Sequence, residues 1–121
     1  MKIDGRSKIP IYLQIAFKLR ENILKGEFKP EEQMPSIRVL ARQLQVNPNT
    51  VKKSYQVLEE QNFVKSLSTK GTFVTKEVDD LLEKKKKASF DAIHLETKEL
   101  KKMGVSLSTI LEGIEKKWKV L

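Results

Sequence analysis

Apolar residues return every fourth position at the start of the chain. Ile11, Ile15, Leu19 and Ile23 form one stripe, with Tyr12, Ala16 and Leu24 beside it. That period belongs to an amphipathic helix. Pro10 suits the first turn, where a missing N–H costs nothing, and Lys25-Gly26 reads as a stop, so a helix is expected over Pro10–Lys25. Two prolines then interrupt Glu27–Pro35, which reads as a loop. Ser36 is a good N-cap, and Ile37, Leu40, Ala41 and Leu44 give the i, i+3, i+4, i+7 spacing of a short second helix. Gln45-Val46 breaks it. Asn47 as N-cap and Pro48 at the first helical position open a third helix, with Val51, Ser54, Tyr55 and Leu58 inward and Asn49, Lys52, Lys53 and Gln56 outward.

Asn62 can take the left-handed conformation that ends a helix. Beyond it the period changes. Phe63–Leu67 and Gly71–Thr75 are β-branched and aromatic-rich runs around the polar turn Ser68-Thr69-Lys70, which predicts a β-hairpin. Two short helices joined by a few residues match a helix-turn-helix, but by themselves also a plain helical hairpin with a solvated face. A hairpin directly after the second of them gives the order of a winged helix. From Val78 the pattern is helical again. Phe90, Ile93, Thr97 and Leu100 form one stripe, Gly104 ends that helix, and Ser106 caps a last one bearing Leu107, Ile110, Leu111, Ile114 and Trp118. The expected fold is thus mainly α with a small β wing. Residues 9–77 form a winged helix-turn-helix domain and residues 78–121 a two-helix tail.

Charge sharpens this picture. The net charge of +8 is unevenly placed, with 13 Lys+Arg against 7 Asp+Glu up to Thr75 and 11 against 9 beyond it. A basic N-terminal part points to a polyanion, and a nearly balanced tail to a different task. The chain has no cysteine and one histidine, His94, which excludes thiolate chemistry and a multi-histidine metal site within one chain. His94 reads as a surface or interface residue. No cofactor and no metal is expected, and no small-molecule effector is identified. There is no nucleophile–base pair, so an enzyme is not expected. No apolar run is long enough to span a membrane, and Met1–Arg6 lacks the apolar stretch of a signal peptide, so a cytoplasmic location is expected.

Four segments carry a family resemblance: Pro10-Ile11-Tyr12-Leu13-Gln14-Ile15, Met34-Pro35-Ser36-Ile37-Arg38-Val39-Leu40-Ala41, Asn47-Pro48-Asn49-Thr50-Val51 and Gly71-Thr72-Phe73-Val74. In this order and spacing they resemble the DNA-binding domain of GntR-family bacterial transcription regulators. The Asn-Pro-Asn-Thr-Val form with a short tail is similar to the YtrA subfamily. The resemblance implies a dimeric repressor that binds double-stranded DNA at a palindromic operator, with the C-terminal helices as the dimer contact. Glycine is common in the family where Glu31 and Asn62 stand; Asn62 tolerates positive φ, whereas Glu31 implies a differently shaped loop.

In such a fold the third helix enters the major groove N-terminal end first. Asn47, Asn49 and Thr50 cluster at that end, and an asparagine can pair with adenine through both amide groups. Asn49 is the base-reading candidate; Asn47 serves as cap. Arg38 corresponds, by resemblance, to the family's DNA-contacting arginine. Lys52 and Lys53 suit phosphates or form a merely solvated face. Ser36 sets the second helix's N-terminus against the DNA backbone, or only caps it, and Tyr12 is either core or a phosphate contact. Lys70 and Gly71 mark the wing tip. In the tail, Lys84–Lys87 is a solvated segment or a flanking phosphate contact. Phe90, Ile93, Leu100, Leu107, Ile110, Leu111, Ile114 and Trp118 are the dimerisation candidates, because a helix pair this small has little core of its own. A winged-helix module that binds protein rather than DNA is the alternative function; an outward face of Asn49, Lys52 and Lys53 fits it poorly.

Overall fold

The computed structural model describes all 121 residues. In chain order the elements are α1 (Ile11–Leu24), α2 (Ile37–Leu44), α3 (Pro48–Glu60), β1 (Val64–Ser66), β2 (Thr72–Val74), α4 (Val78–Lys102) and α5 (Leu107–Trp118). They form two compact units, Met1–Leu82 and Glu83–Leu121, which divide inside α4 rather than at its start. The reason is apolar burial: Val78 is fully buried and Leu81 half-buried, both against the core of the first unit.

Local signals set most helix ends. Pro10 stands just outside α1, with extended ψ of 145°, and its carbonyl accepts from Leu13 and Gln14 N–H at 3.1 Å. The helix therefore starts one residue later than expected. Ser36 Oγ accepts from Val39 N at 3.1 Å and Asn47 Oδ1 from Asn49 N at 2.8 Å, each satisfying a first-turn donor that has no partner within the helix. Between α2 and α3 the chain turns in three residues because Gln45 is left-handed, at φ 56° and ψ 45°.

The core of the first unit is built from Ile15, Ala16, Leu19 and Ile23 of α1, Leu40 and Ala41 of α2, and Val51, Tyr55 and Leu58 of α3, closed by Met34, Phe63, Val64, Val74 and Val78. Leu24 departs from its expected place beside the α1 stripe: it is 42% exposed, because it stands in the last turn of the helix where no other element covers it. Ser54 is the buried polar residue, and its Oγ donates to Tyr12 O at 2.7 Å and lies 3.1 Å from Thr50 O.

β1 and β2 pair antiparallel with Val64 opposite Val74 and Ser66 opposite Thr72. The strands are shorter than the β-rich runs, since Ser68–Lys70 forms one 3-10 turn, with Lys70 N donating to Leu67 O at 2.9 Å, and Leu67 N to Gly71 O at 2.8 Å closes the hairpin around it. The expected loop before α2 is not all loop. Residues 31–34 run along the other edge of β2, with Glu31 N to Val74 O at 3.0 Å, Val74 N to Glu32 O at 2.8 Å and Met34 N to Thr72 O at 2.8 Å. Charged residues between two prolines hid this pairing. Nor does Glu31 reshape the turn: it adopts φ 66°, the conformation glycine would take there. A left-handed non-glycine residue costs roughly 1–2 kcal/mol, partly offset by the lower chain entropy of a non-glycine residue. Glu31→Gly is therefore expected to raise unfolding free energy by about 0.5–1 kcal/mol in a urea titration.

In the second unit Gly104, at φ 81°, ends α4, and Ser106 Oγ accepts from Thr109 N at 3.2 Å to start α5. No residue from Glu83 to Leu121 is buried. Ile93, Leu100, Val105, Ile110, Ile114 and Trp118 line an open groove of about 720 Å³ between the two helices.

Candidate nucleic-acid interface

One face of α3 is core and the other is open. Val51, Ser54, Tyr55 and Leu58 are buried, whereas Asn49, Lys52, Lys53 and Gln56 are exposed. Thr50 lies between, half-buried, with its N–H held by Asn47 O at 2.9 Å. The Asn47 side chain is occupied by the cap, while no hydrogen bond holds the Asn49 amide, which leaves both of its amide groups for a partner. Lys53 is placed by Tyr12: its Nζ sits 5.5 Å from the ring centroid, a cation–π distance that restrains a long side chain. Tyr12 thus resolves as a half-buried ring carrying Lys53 on its face.

α2 is set against α3 by Tyr55. Its hydroxyl donates to Pro35 O, one residue before the Ser36 cap, and so ties the start of α2 to the middle of α3. Burial pushes the Tyr55 phenol above its ordinary range, which favours the protonated hydroxyl that donates this bond. Ser36 and Arg38 are exposed at the start of α2. Arg42 stands one turn after Arg38 on the same exposed face, a second guanidinium that i, i+4 spacing reveals but that lies outside the four motif segments.

At the wing, Lys70 is exposed and Gly71 half-buried. Gly71 has a backbone reason to be glycine: its φ is 114°, and a Cβ there would lie 2.8 Å from Gln33 Nε2. That amide donates to Lys70 O at 3.0 Å, fastening the wing tip to the segment before α2. Gln33 is a site residue that sequence reasoning missed. Its only signal was its place in the stretch read as loop, and its partner lies 37 positions away.

Of the tail candidates, Leu100 and Ile110 are half-buried, and Phe90, Ile93, Leu107, Leu111, Ile114 and Trp118 are exposed, Trp118 at 73%. His94 and Lys84–Lys87 are exposed on α4, with Lys86 paired to Glu83 at 3.3 Å. No helix is long and apolar enough to cross a membrane.

Residues 11–74, the stretch from α1 to β2, match the model of the gntR family of bacterial regulatory proteins. The chain belongs to this family. Members of the gntR family are transcriptional regulators with a DNA-binding winged helix, not enzymes. The chain is 33% identical over 110 residues to the HTH-type transcriptional regulator YhcF of Bacillus subtilis, covering 91% of each. It is 43% identical over 75 residues to the transcriptional repressor YtrA of the same organism, covering 62% of this chain and 58% of that one. The DNA-binding domain of AraR in complex with operator ORE1 is similar in structure, with a TM-score of 0.55 and 26% identity over 61% of this chain and 90% of that one. A domain of similar structure therefore binds operator DNA in that complex.

Proposed function

We propose that this protein is a repressor that occupies a palindromic operator as a homodimer, with residues 9–77 reading DNA and the helices after them joining two copies. The observation that carries the DNA-binding half is the open face of α3, where an unengaged Asn49 amide stands beside Lys52 and Lys53 on a helix whose opposite face is core. Asn49 reads a base edge, while Lys52, Lys53 and Arg38 neutralise phosphates. Ser36 and Asn47 fix the helix starts whose free N–H groups face the backbone. Lys70 supplies a wing contact, and Gly71 with Gln33 gives the wing its shape. The YtrA relative is named a repressor, which supports repression over activation. The uncovered apolar residues of the tail support the homodimer.

The test is binding of the full chain to duplexes selected from a random pool. A dimer making six to ten phosphate contacts loses roughly 10³–10⁵ in affinity between about 50 and 200 mM salt. Failure to enrich any sequence rejects the reading. Residue roles separate in the same assay. Asn49→Ala is expected to lose about 1–3 kcal/mol of discrimination between selected and random duplex. Lys53→Ala is expected to weaken both about equally and to reduce the salt slope by about 1. A change of base preference in the Lys53 variant alone would reverse the assignment.

A further inference from the structure

The residues before α1 form a closed loop, and its position follows from the direction of α1. The Gln14 side chain spans the loop: Nε2 donates to Asp4 O and to Ile9 O, and Oε1 accepts from Asp4 N, all at 2.8 Å. Within it, Asp4 Oδ1 accepts from Arg6 N at 2.9 Å and Ser7 Oγ from Ile9 N at 3.1 Å. Ile3 is half-buried against the core and anchors the other end. Arg6 and Lys8 are exposed on this loop, and neither is in an ion pair. Asp4 is the one carboxylate among residues 1–10, and it is engaged by the Arg6 N–H.

Two contacts fix the sense of α1 against α3. At its start, Tyr12 meets Lys53 and Ser54; a little over two turns later, Arg20 Nη1 donates to Gln61 Oε1 at 3.3 Å. Sequence number rises together along both helices, so they run parallel. The loop before α1 therefore lies at the end of the domain where α3 begins, the end that carries Asn47, Asn49 and Lys53.

We propose that this loop is a second DNA-contacting element, in which Arg6 and Lys8 engage backbone phosphates flanking the base pairs that α3 reads. The inference rests on the DNA-binding reading given above. A guanidinium matches phosphate oxygens in bidentate fashion, and a loop already held by the Gln14 amide loses little further freedom on binding.

The experiment compares the full-length R6Q/K8Q variant with K18Q/K25Q, which removes the same charge from the second half of α1 and the residue that follows it. Each is titrated with a duplex selected by the parent chain and with an unrelated duplex of equal length, at about 50 and 200 mM salt. R6Q/K8Q is expected to weaken both duplexes by about fivefold or more at the lower salt. It should also lower the slope of log affinity against log salt by about 1 for each phosphate that the loop no longer neutralises. K18Q/K25Q is expected to change that slope by less than half as much. If the parent binds selectively and R6Q/K8Q matches either the parent or K18Q/K25Q, the loop assignment is overturned and the α3 reading stands. If the parent itself selects no sequence, the DNA-binding reading fails first and this inference with it.

Discussion

Cutting the chain after Leu82 is expected to yield a folded monomer whose operator affinity is about 10²–10⁴-fold below that of the full protein. The cut follows the boundary of the first compact unit and keeps Val78 and Leu81, which complete its core. A cut before Val78 would remove both and confound loss of the dimer with loss of stability. The expected loss has a simple origin. Two half-site bindings linked through one dimer act at a high effective concentration, and a monomer has only one of them. The proposed link is the groove along α4 and α5, where Ile93, Ile114 and Trp118 stay about half or more exposed within one chain. Burying apolar surface is worth roughly 25 cal/mol per Å², and a second copy of the same groove offers the same kind of surface in return. Ile114→Asp in the full chain is expected to act in the same direction, since a carboxylate at the centre of the groove would be desolvated on association. Sedimentation of the truncated chain and of this variant, alongside operator titration, decides the matter. A truncated chain that sediments as a dimer, or binds its operator undiminished, places the interface elsewhere and frees the groove for another partner.

Leu58→Ala is expected to destabilise the first unit by about 2–5 kcal/mol. Leu58 has no exposed surface and lies within the cluster that joins α1, α2, α3 and the wing. Truncation removes buried methyl groups and leaves a cavity that surrounding helices close only in part. A unit of this size has a total stability of about 4–12 kcal/mol, so the loss is a large fraction of it. The melting temperature should fall by about 10–30 °C. Leu24→Ala provides the contrast, because Leu24 is 42% exposed; it should stay within about 0.5 kcal/mol of the parent. Equal effects from the two would show that Leu24 is covered in solution.

The helices and the hairpin were legible in the amino-acid sequence because their determinants lie close together in the chain. Ser36, Asn47 and Ser106 each cap a helix by bonding a backbone N–H two or three residues on. The buried set of α3, Val51, Ser54, Tyr55 and Leu58, follows from 3.6-residue periodicity alone. The four motif segments, read in order, pointed to the family and to the face of α3 that carries the candidate contacts.

Other features were decided only by tertiary structure. Residues 31–34 become part of the wing because β2, some 40 positions later, supplies their hydrogen-bond partners. Glu31 accepts a left-handed conformation because that pairing fixes the backbone on either side, overriding the preference of its own side chain. Gln33 fastens the wing tip, Gln14 closes the loop around Arg6 and Lys8, and Tyr12 carries Lys53, each through a contact outside its own helix or strand. A glutamine in a loop and a glutamine bridging two segments look the same in sequence. Periodicity and capping report the free energy of residues within one or two turns of each other, whereas a long side chain's partner is chosen by the packing of segments far apart in the chain.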